Sequence, residues 1–264
     1  MKLGFIGAGN MGGAIIGGVV SSGFVNACDI TVADRDAKKL NDLRDKFGVN
    51  ISLDNLDCTD ADVVFLCVKP NVIEYVIEEL NSQVQNDTVF VSIAAGQSLE
   101  KLAGMFDNPQ AKIVRVMPNT PALVGEGMSA VCANENVTEE EMQTVLGIFN
   151  CLGKAQNVSE NIMDAVTAVS GSSPAYVFMF IEALADAAVR GVMSRDMAYT
   201  FAAQAVLGSA KMVLETKKHP AELKDMVCSP GGTTIDAVAV LEQEGMRNAV
   251  MKAMQACINK SKEM

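Results

Sequence analysis

The chain has 264 residues and a formal net charge of −11, because 32 acidic side chains oppose 21 lysines and arginines. This negative charge opposes nonspecific binding to nucleic acid or to an anionic membrane. The length leaves room for a full core and two domains. An apolar fraction of 49% with 16 methionines and no tryptophan predicts an aliphatic, methionine-rich core.

Secretion, membrane insertion and metal binding are all disfavoured by the sequence. Met1 leads into a strand without a signal peptide, and the least polar stretch, 165–181, is broken by proline, which indicates a pair of buried helices. Seven cysteines lack metal-ligand or disulfide spacing, and the single histidine, His219, precedes a proline in a predicted loop. We expect a cytoplasmic protein with no metal and no catalytic histidine.

A glycine-rich turn follows the first apolar segment. The segment 2–6 is predicted to be a strand, and Gly7-Ala-Gly9-Asn-Met-Gly12 then opens an amphipathic helix. In this strand–turn–helix context the first glycine allows a tight turn, the second lets a pyrophosphate approach the backbone, and the third lets helix and strand pack closely. The pattern predicts a dinucleotide-binding loop.

The second predicted strand, 29–33, ends in residues that bear on the choice of cofactor. An acid at this place binds the ribose 2′-hydroxyl of NAD, whereas an arginine favours the 2′-phosphate of NADP. Asp34 therefore indicates NAD, and Arg35, with Lys38 and Lys39 beside it, indicates NADP. These basic residues are also typical of a solvated helix start, so the sequence leaves NADPH and NADH open.

Four further apolar segments are predicted to be strands, at 63–68, 89–93, 112–117 and 128–133. Helical patterns alternate with strands up to about residue 158, which predicts a doubly wound, mostly parallel α/β sheet. Small and polar residues follow three of these strands, at 68–71, 94–96 and 118–121. Because ligands bind at the carboxyl edge of such sheets, the loops predict a cofactor cleft.

The strand pattern stops after about residue 161, and helical periodicity continues to the end with proline breaks at Pro174, Pro220 and Pro230. We predict two domains, 1–160 and 161–264, the second all-α. A helix over 176–189 is apolar on nearly every face. Either it is buried in its own bundle or it packs against a second chain, and the small number of helices favours a dimer.

A small-residue loop, Cys228-Ser-Pro-Gly-Gly-Thr-Thr-Ile-Asp236, leads into one of these helices. We predict Ser229 as the N-cap and Pro230 as the first helical residue. Gly231 and Gly232 would leave backbone N–H groups exposed at a helix N-terminus, which suits a carboxylate or phosphate. The alternative is an ordinary capped helix after a glycine turn.

The chain offers no plausible histidine to protonate the alkoxide formed when a carbonyl is reduced. A protonated imine is already an electrophile, so its reduction needs mainly positioning and complementary charge. The sequence therefore favours reduction of C=N over C=O. A carboxylate beside the imine would suit the loop at Ser229.

Six segments, in order over essentially the whole length, closely resemble the pyrroline-5-carboxylate reductase family. They are 7–12, 68–70, 92–96, 117–121, Ser170-Gly-Ser-Ser-Pro-Ala-Tyr176 and Asp225-Met-Val-Cys-Ser-Pro-Gly-Gly-Thr-Thr234. The last two are highly specific, and the first is common to many dinucleotide-binding proteins. The resemblance implies a Rossmann-type domain followed by an all-α dimerisation domain, and a homodimer that assembles into a decamer. It also implies reduction of 1-pyrroline-5-carboxylate to L-proline, the last step of proline biosynthesis, with NADPH or NADH.

The resemblance also implies roles for individual residues. The backbone around Gly9, Asn10 and Met11 would hold the pyrophosphate, Arg35 would lie by the adenosine ribose, and the rest of the cleft would be lined by Asn55, Val68, Lys69, Pro70, Ala94, Ala95 and Gly96. The glycine pattern and the second strand add Gly7, Gly12 and Asp34 as cofactor residues. The substrate residues would be Ser229, Gly231, Gly232, Thr233 and Thr234, with amides holding the carboxylate and the Thr234 hydroxyl acting at the ring nitrogen. Asp34 is a departure, since NADP-preferring members often have a small polar residue there.

Three alternatives remain. A β-hydroxyacid dehydrogenase shares the start of the chain, but its catalytic lysine is not apparent and the loop at Ser229 would be unexplained. A dinucleotide sensor without catalysis would be expected to have an eroded substrate loop. A structural oligomer with a vestigial glycine motif would bind neither NADPH nor NADH.

Overall fold

The computed structural model describes residues 1–84 and 87–263, which form eight strands and eleven α-helices. The strands are β1 (Leu3–Ile6), β2 (Ile30–Ala33), β3 (Asn50–Ser52), β4 (Val63–Leu66), β5 (Val89–Ser92), β6 (Lys112–Met117), β7 (Gly127–Ala133) and β8 (Gly153–Asn157). The helices are α1 (Asn10–Ser22), α2 (Ala37–Phe47), α3 (Ile73–Leu80), α4 (Leu99–Ala103), α5 (Glu139–Asn150), α6 (Met163–Val166), α7 (Ser173–Arg190), α8 (Arg195–Thr216), α9 (Pro220–Val227), α10 (Thr233–Gln243) and α11 (Met246–Lys262).

The strands form one sheet in the order β3-β2-β1-β4-β5-β6-β7-β8. Every neighbouring pair is parallel except β6 and β7, so the predicted mostly parallel, doubly wound sheet is confirmed. The first six positions follow the order 3-2-1-4-5-6 of dinucleotide-binding sheets. All the predicted strands are present within a residue or two of their expected ends.

Helices cover the sheet and bury a separate apolar core on each face. Strands β1, β4 and β5 are buried at every residue, which explains why their sequences are continuous apolar runs. Phe5 stacks on Phe65 with ring centroids 4.5 Å apart, and Phe149 of α5 meets Phe65 edge-on. Because β1, β4 and β5 pair in parallel, their carboxyl ends lie at a common edge of this packed core.

The chain divides into two compact units, Met1–Ser172 with the residues from Cys257 onward, and Ser173–Ala256. The predicted boundary at 160/161 follows the last strand, whereas the first unit extends further because Met163 and Ala168 are buried in it. The C-terminal residues join the first unit through hydrogen bonds from Ser261 Oγ to Asp164 Oδ1 (2.7 Å) and from Cys257 Sγ to Ser172 Oγ (3.2 Å).

Pro174 does not end a helix, so the predicted break and the predicted pair of buried helices are both wrong. Helix α6, a π-helical turn at Thr167–Ser172 and α7 follow one another without interruption. The helical run Glu160–Arg190 is long and apolar enough to cross a membrane by length and composition alone, with a mean hydropathy of 1.2 and 11% of its apolar window buried. That is weak evidence for a membrane span, since an apolar helix at a subunit interface meets the same criteria.

The second unit exposes large apolar side chains along its helices. Phe178 of α7 is 62% exposed, and Phe201 and Leu207 of α8 are also exposed. The buried residues of α7 and α8 are small: Ala185, Ala198 and Ala202. Helix α7 is therefore not enclosed in a bundle of its own chain, which supports the predicted packing against a second chain.

Candidate active site

The glycine loop joins β1 to α1 in the geometry that a pyrophosphate requires. Gly7 has φ +109°, and a Cβ there would lie 2.5 Å from the carbonyl oxygen of Cys67. Gly9 is the N-cap of α1, no side chain caps this helix, and a Cβ at Gly9 would meet nothing within 4 Å. The N-terminal N–H groups of α1 thus face open space, which fits a dinucleotide diphosphate.

Asp34 is tied to the glycine loop by its own side chain. Its Oδ2 accepts a hydrogen bond from the N–H of Ala8 at 2.7 Å, and its Oδ1 accepts one from the N–H of Asp36 at 2.9 Å. Each carboxylate oxygen can accept a further bond. Asp34 therefore fixes the shape of the loop and keeps acceptor capacity for a ribose hydroxyl, beside Arg35.

A cavity of about 350 Å³ lies beside the glycine loop, at the carboxyl edge of β1, β2 and β4. Seven predicted cofactor residues line it: Gly7, Gly9, Asp34, Arg35, Asn55, Val68 and Lys69. Lys39 also lines it, and Asn55 Nδ2 donates to Glu79 Oε2 at 2.8 Å. Burial raises the pKa of the lining Cys67 thiol to about 12, so this thiol is neutral and is not a nucleophile.

The remaining predicted cofactor residues lie around this cavity but do not line it. Asn10, Met11 and Gly12 form the first turn of α1, and Asn10 lines a larger cleft of about 720 Å³ along α1 and α2. Pro70 follows β4, and 94–96 follow β5, whose carboxyl end lies beside that of β4 because the two strands are parallel. Of the residues predicted to lie near the cofactor, Gly9, Asn10 and Lys39 line this larger cleft, which was not anticipated from the sequence.

The predicted substrate loop lies in the second unit, and its helix begins later than expected. Helix α10 starts at Thr233 with Gly232 as its N-cap, so Ser229 is not the N-cap and Pro230 is not the first helical residue. Instead, Gly232 N–H donates to Ser229 O at 3.1 Å, with Pro230 and a left-handed Gly231 between them. Proline followed by a residue of positive φ is typical of a type II turn, and this turn takes up the Gly232 N–H.

The N-terminus of α10 nevertheless has the exposed backbone N–H groups that were predicted for an anion site. No side chain caps it, so the first N–H groups, from Thr233 onward, are available to a ligand. Thr233 is exposed and Thr234 is partly exposed. His219 lies elsewhere, as the exposed N-cap of α9, where its Nδ1 accepts from the N–H of Ala221 at 3.2 Å.

Sequence reasoning missed Asn119, which is 9% exposed and lies directly after β6. Its Nδ2 donates to Ser170 O at 3.0 Å, and its Oδ1 accepts from the N–H of Met128 at 2.9 Å. Asn119 belongs to a predicted edge loop, and Pro174 sits in an apolar helical pattern. The signal available in the sequence was the proline itself, because a proline inside a helix leaves the carbonyl four residues earlier in need of another donor.

Two family models match the chain. One, described as pyrroline-5-carboxylate reductase dimerisation, matches residues 160–264, and the other, described as NADP oxidoreductase, coenzyme F420-dependent, matches residues 2–96. The pyrroline-5-carboxylate reductase of Escherichia coli (strain K12) is 53% identical over 100% of this chain and 98% of its own length. That of Methanosarcina acetivorans is 43% identical over 100% and 97%.

Solved structures agree with these matches. A pyrroline-5-carboxylate reductase from Coxiella burnetii superposes with a TM-score of 0.92 and 36% identity, covering 99% of this chain and 97% of that one. The Plasmodium falciparum pyrroline carboxylate reductase with NADP bound gives 0.90 and 34% over 100% and 97%. A 3-hydroxyisobutyrate dehydrogenase from Mycobacterium tuberculosis gives only 0.52 at 15% identity, over 73% and 67%, which shows a shared fold alone.

These findings confirm the predicted Rossmann-type domain followed by a helical dimerisation domain. They also decide between the alternatives that the sequence left open, because the 53% identity extends over the whole chain and so includes both the glycine loop and the α10 loop. The chain belongs to the pyrroline-5-carboxylate reductase family, a family of NAD(P)H-dependent oxidoreductases.

Proposed function

We propose that this protein reduces 1-pyrroline-5-carboxylate to L-proline, with the α10 loop as the carboxylate site. The observation that carries the proposal is the uncapped N-terminus of α10, where a type II turn precedes free N–H groups and two threonine hydroxyls. A helix N-terminus favours an anion through its unpaired N–H groups and its dipole. The substrate is a cyclic imine that carries one carboxylate.

Within this site the backbone and one hydroxyl have separate tasks. The N–H groups of Gly231 and Thr233 hold the carboxylate, while Gly232 N–H is shared with Ser229 O and contributes less. The Ser229 hydroxyl lies next to Gly232, so it lines the same turn. The Thr234 hydroxyl orients the ring nitrogen, and an iminium needs no further acid before reduction.

The cofactor is held by the first unit in this proposal. Gly9, Asn10 and Met11 present N–H groups to the pyrophosphate, while Asp34 and Arg35 flank the adenosine ribose. The dihydronicotinamide, when bound, supplies the hydride. The ends of β4 and β5, with Val68, Lys69, Pro70 and 94–96, shape the remaining cleft and shield it from water.

The direct test is oxidation of NADPH or NADH in the presence of 1-pyrroline-5-carboxylate, followed by identification of L-proline. Thr234→Ala is expected to lower kcat about tenfold or more and to leave the dissociation constant of the cofactor unchanged. Thr234→Ser keeps the hydroxyl and is the matched control, expected to retain most activity. Absence of turnover in the wild-type protein, or unchanged kinetics in Thr234→Ala, would contradict the proposal.

We also propose a homodimer that assembles into a decamer, in the cytoplasm. Exposed apolar side chains on both α7 and α8 support more than one interface, and the described cysteines carry free thiols, as in a reducing compartment. Light scattering on the purified protein tests the assembly. A decamer has ten times the 27.9 kDa mass of one chain, and a dimer has twice that mass.

A further inference from the structure

A proline lies inside a continuous helix, immediately after its π-helical turn. In an α-helix the N–H of residue 174 would donate to the carbonyl of Ser170, but Pro174 has no N–H and its ring would clash with that carbonyl. The wider π-helical turn at Thr167–Ser172 relieves the clash. Because Pro174 has no N–H, the Ser170 carbonyl lacks its α-helical donor, a deficit that native structures rarely leave unfilled.

Asn119 supplies that donor from another segment of the chain. Its Nδ2 donates to Ser170 O at 3.0 Å, while its Oδ1 accepts from the N–H of Met128 at 2.9 Å. Both ends of one buried amide thus bond to backbone groups of two different segments, and this fixes how the amide is oriented. Asn119 joins the start of β7 to the π-helical turn.

The bridge lies at the carboxyl edge of the sheet. Asn119 follows β6, which runs parallel to β5, so its loop lies beside 94–96. The π-helical turn packs onto the same place, since a Cβ at Gly171 would come within 2.7 Å of Met117 Cε. The glycine loop and Asp34 lie at the ends of β1 and β2, so the nicotinamide half of a dinucleotide extends towards β4, β5 and β6.

We propose that Asn119 is a positioning residue of the reductase. It holds the π-helical turn against the end of β6 and so fixes the wall of the cleft where the nicotinamide reacts. This inference rests on the proposed function for its effect on turnover, but the pairing of Asn119 with Pro174 is a property of the fold and can be measured without substrate. The two residues are complementary, because Pro174 has no N–H to give the Ser170 carbonyl and Asn119 donates to that carbonyl instead.

The test is a double-mutant cycle between Asn119→Asp and Pro174→Ala. Asn119→Asp keeps an oxygen for the N–H of Met128 but replaces the donor to Ser170 O with a second oxygen. Pro174→Ala restores a backbone N–H that can donate to the same carbonyl. The matched control is Asn134→Asp. Asn134 bridges backbone groups at the opposite end of β6 in the same way, by accepting from the N–H of Ile113 (3.1 Å) and donating to Ala111 O (2.8 Å).

We expect Asn119→Asp to lower kcat at least tenfold, with the cofactor dissociation constant, followed by fluorescence, within twofold of wild type. Asn134→Asp is expected to leave kcat within twofold even where it lowers Tm. Adding Pro174→Ala to Asn119→Asp should recover most of the lost kcat. The Tm loss caused by Asn119→Asp should also be smaller in the Pro174→Ala background.

The proposal is overturned if Asn119→Asp leaves kcat unchanged, or if kcat falls equally in Asn134→Asp at a matched Tm loss. It is also overturned if Pro174→Ala recovers neither kcat nor Tm. Asn119→Ala in the Pro174→Ala background serves the same purpose if Asn119→Asp alone does not fold. A wild-type protein that fails to turn over the substrate would contradict the proposed function, while the Tm cycle would still decide whether Asn119 and Pro174 are coupled.

Discussion

The two compact units differ in how far one chain buries their apolar side chains. In the first, the strands under the glycine loop are fully buried, and the side chain of Asp34 secures the loop itself. In the second, Phe178 and Phe201 are exposed, and the proposed substrate loop leads into a helix whose N-terminus no side chain caps. We therefore expect cofactor binding to be a property of one chain, and the structure around the proposed substrate loop to depend on the assembly.

The largest expected effect comes from substituting two glycines of the glycine loop, one whose Cβ would clash within the chain and one whose Cβ would face open space. Gly7→Ala forces a side chain into φ +109° and against Cys67 O, so we expect the free energy of unfolding to fall by about 3 kcal/mol or more. Gly9→Ala meets no neighbouring atom in the chain, so Tm should change by no more than about 3 °C. Gly9→Ala should nevertheless weaken NADPH binding at least about tenfold, because its methyl group occupies the approach of the pyrophosphate.

Thermal unfolding and fluorescence titration measure the two effects separately. If Gly9→Ala binds the cofactor with wild-type affinity, the loop is not the pyrophosphate site. If Gly7→Ala is as stable as wild type, the loop is not held as rigidly as its contacts with Cys67 indicate.

The second expected effect separates the assembly from the cofactor domain. Phe178→Asp puts a charge on the exposed apolar face of α7, and burying that charge at an interface would be costly. We expect loss of the oligomer by light scattering and loss of turnover, with a cofactor dissociation constant within twofold of wild type. Tyr75→Asp on α3 is the matched control, because Tyr75 is 69% exposed in the first unit against 62% for Phe178. A Phe178→Asp protein of unchanged mass would show that α7 is not the interface.

The third expected effect concerns which cofactor the first unit accepts. A 2′-phosphate would face the Asp34 carboxylate, so Asp34→Ser should raise the ratio of kcat/KM for NADPH over NADH by about tenfold. Asp34→Asn keeps an oxygen for the N–H of Ala8, so it should shift the same ratio with little loss of Tm. If Arg35→Ser changes the ratio and neither Asp34 variant does, the preference depends on the arginine.

The first unit could be predicted from sequence more completely than the second. Buried parallel strands are continuous apolar runs, and the glycine loop needs particular residues at particular places, so both leave local patterns. The start of α5 is likewise a local pattern, a Thr138–Glu141 capping box in which both hydrogen bonds are present. The strands that were not singled out, β3 and β8, are only partly buried and polar, so the continuous apolar run that marks a central strand is absent from them.

The features that escaped prediction depend on partners distant in the chain. Pro174 was expected to end a helix, but the chain passes through a π-helical turn into α7 without a break, and the Ser170 carbonyl accepts from Asn119, 51 residues earlier in the chain. The α10 helix was expected to begin at Pro230 with Ser229 as its N-cap, but a turn through the left-handed Gly231 comes first and the helix begins at Thr233. The packing of α7 against a second chain could be predicted because apolar residues on nearly every face of a helix are visible in the local sequence.

The smallest expected effect tests whether the second unit carries backbone strain that the first avoids. Within residues 1–84 and 87–263, the two non-glycine residues with positive φ, Val192 (φ 68°) and Lys217 (φ 55°), both lie in the second unit. A left-handed conformation costs about 1–2 kcal/mol for an ordinary residue. Glycine avoids this cost but loses more conformational freedom on folding, which offsets about 0.5–1 kcal/mol of the gain. Val192 is 97% exposed, so its side chain contributes little packing within the chain. Val192→Gly should therefore stabilise the protein by about 0.5–1 kcal/mol, measured by denaturant unfolding at matched concentration. A loss of stability that grows as the protein is diluted would instead show that the Val192 side chain is buried between chains, which would make even this turn part of the assembly.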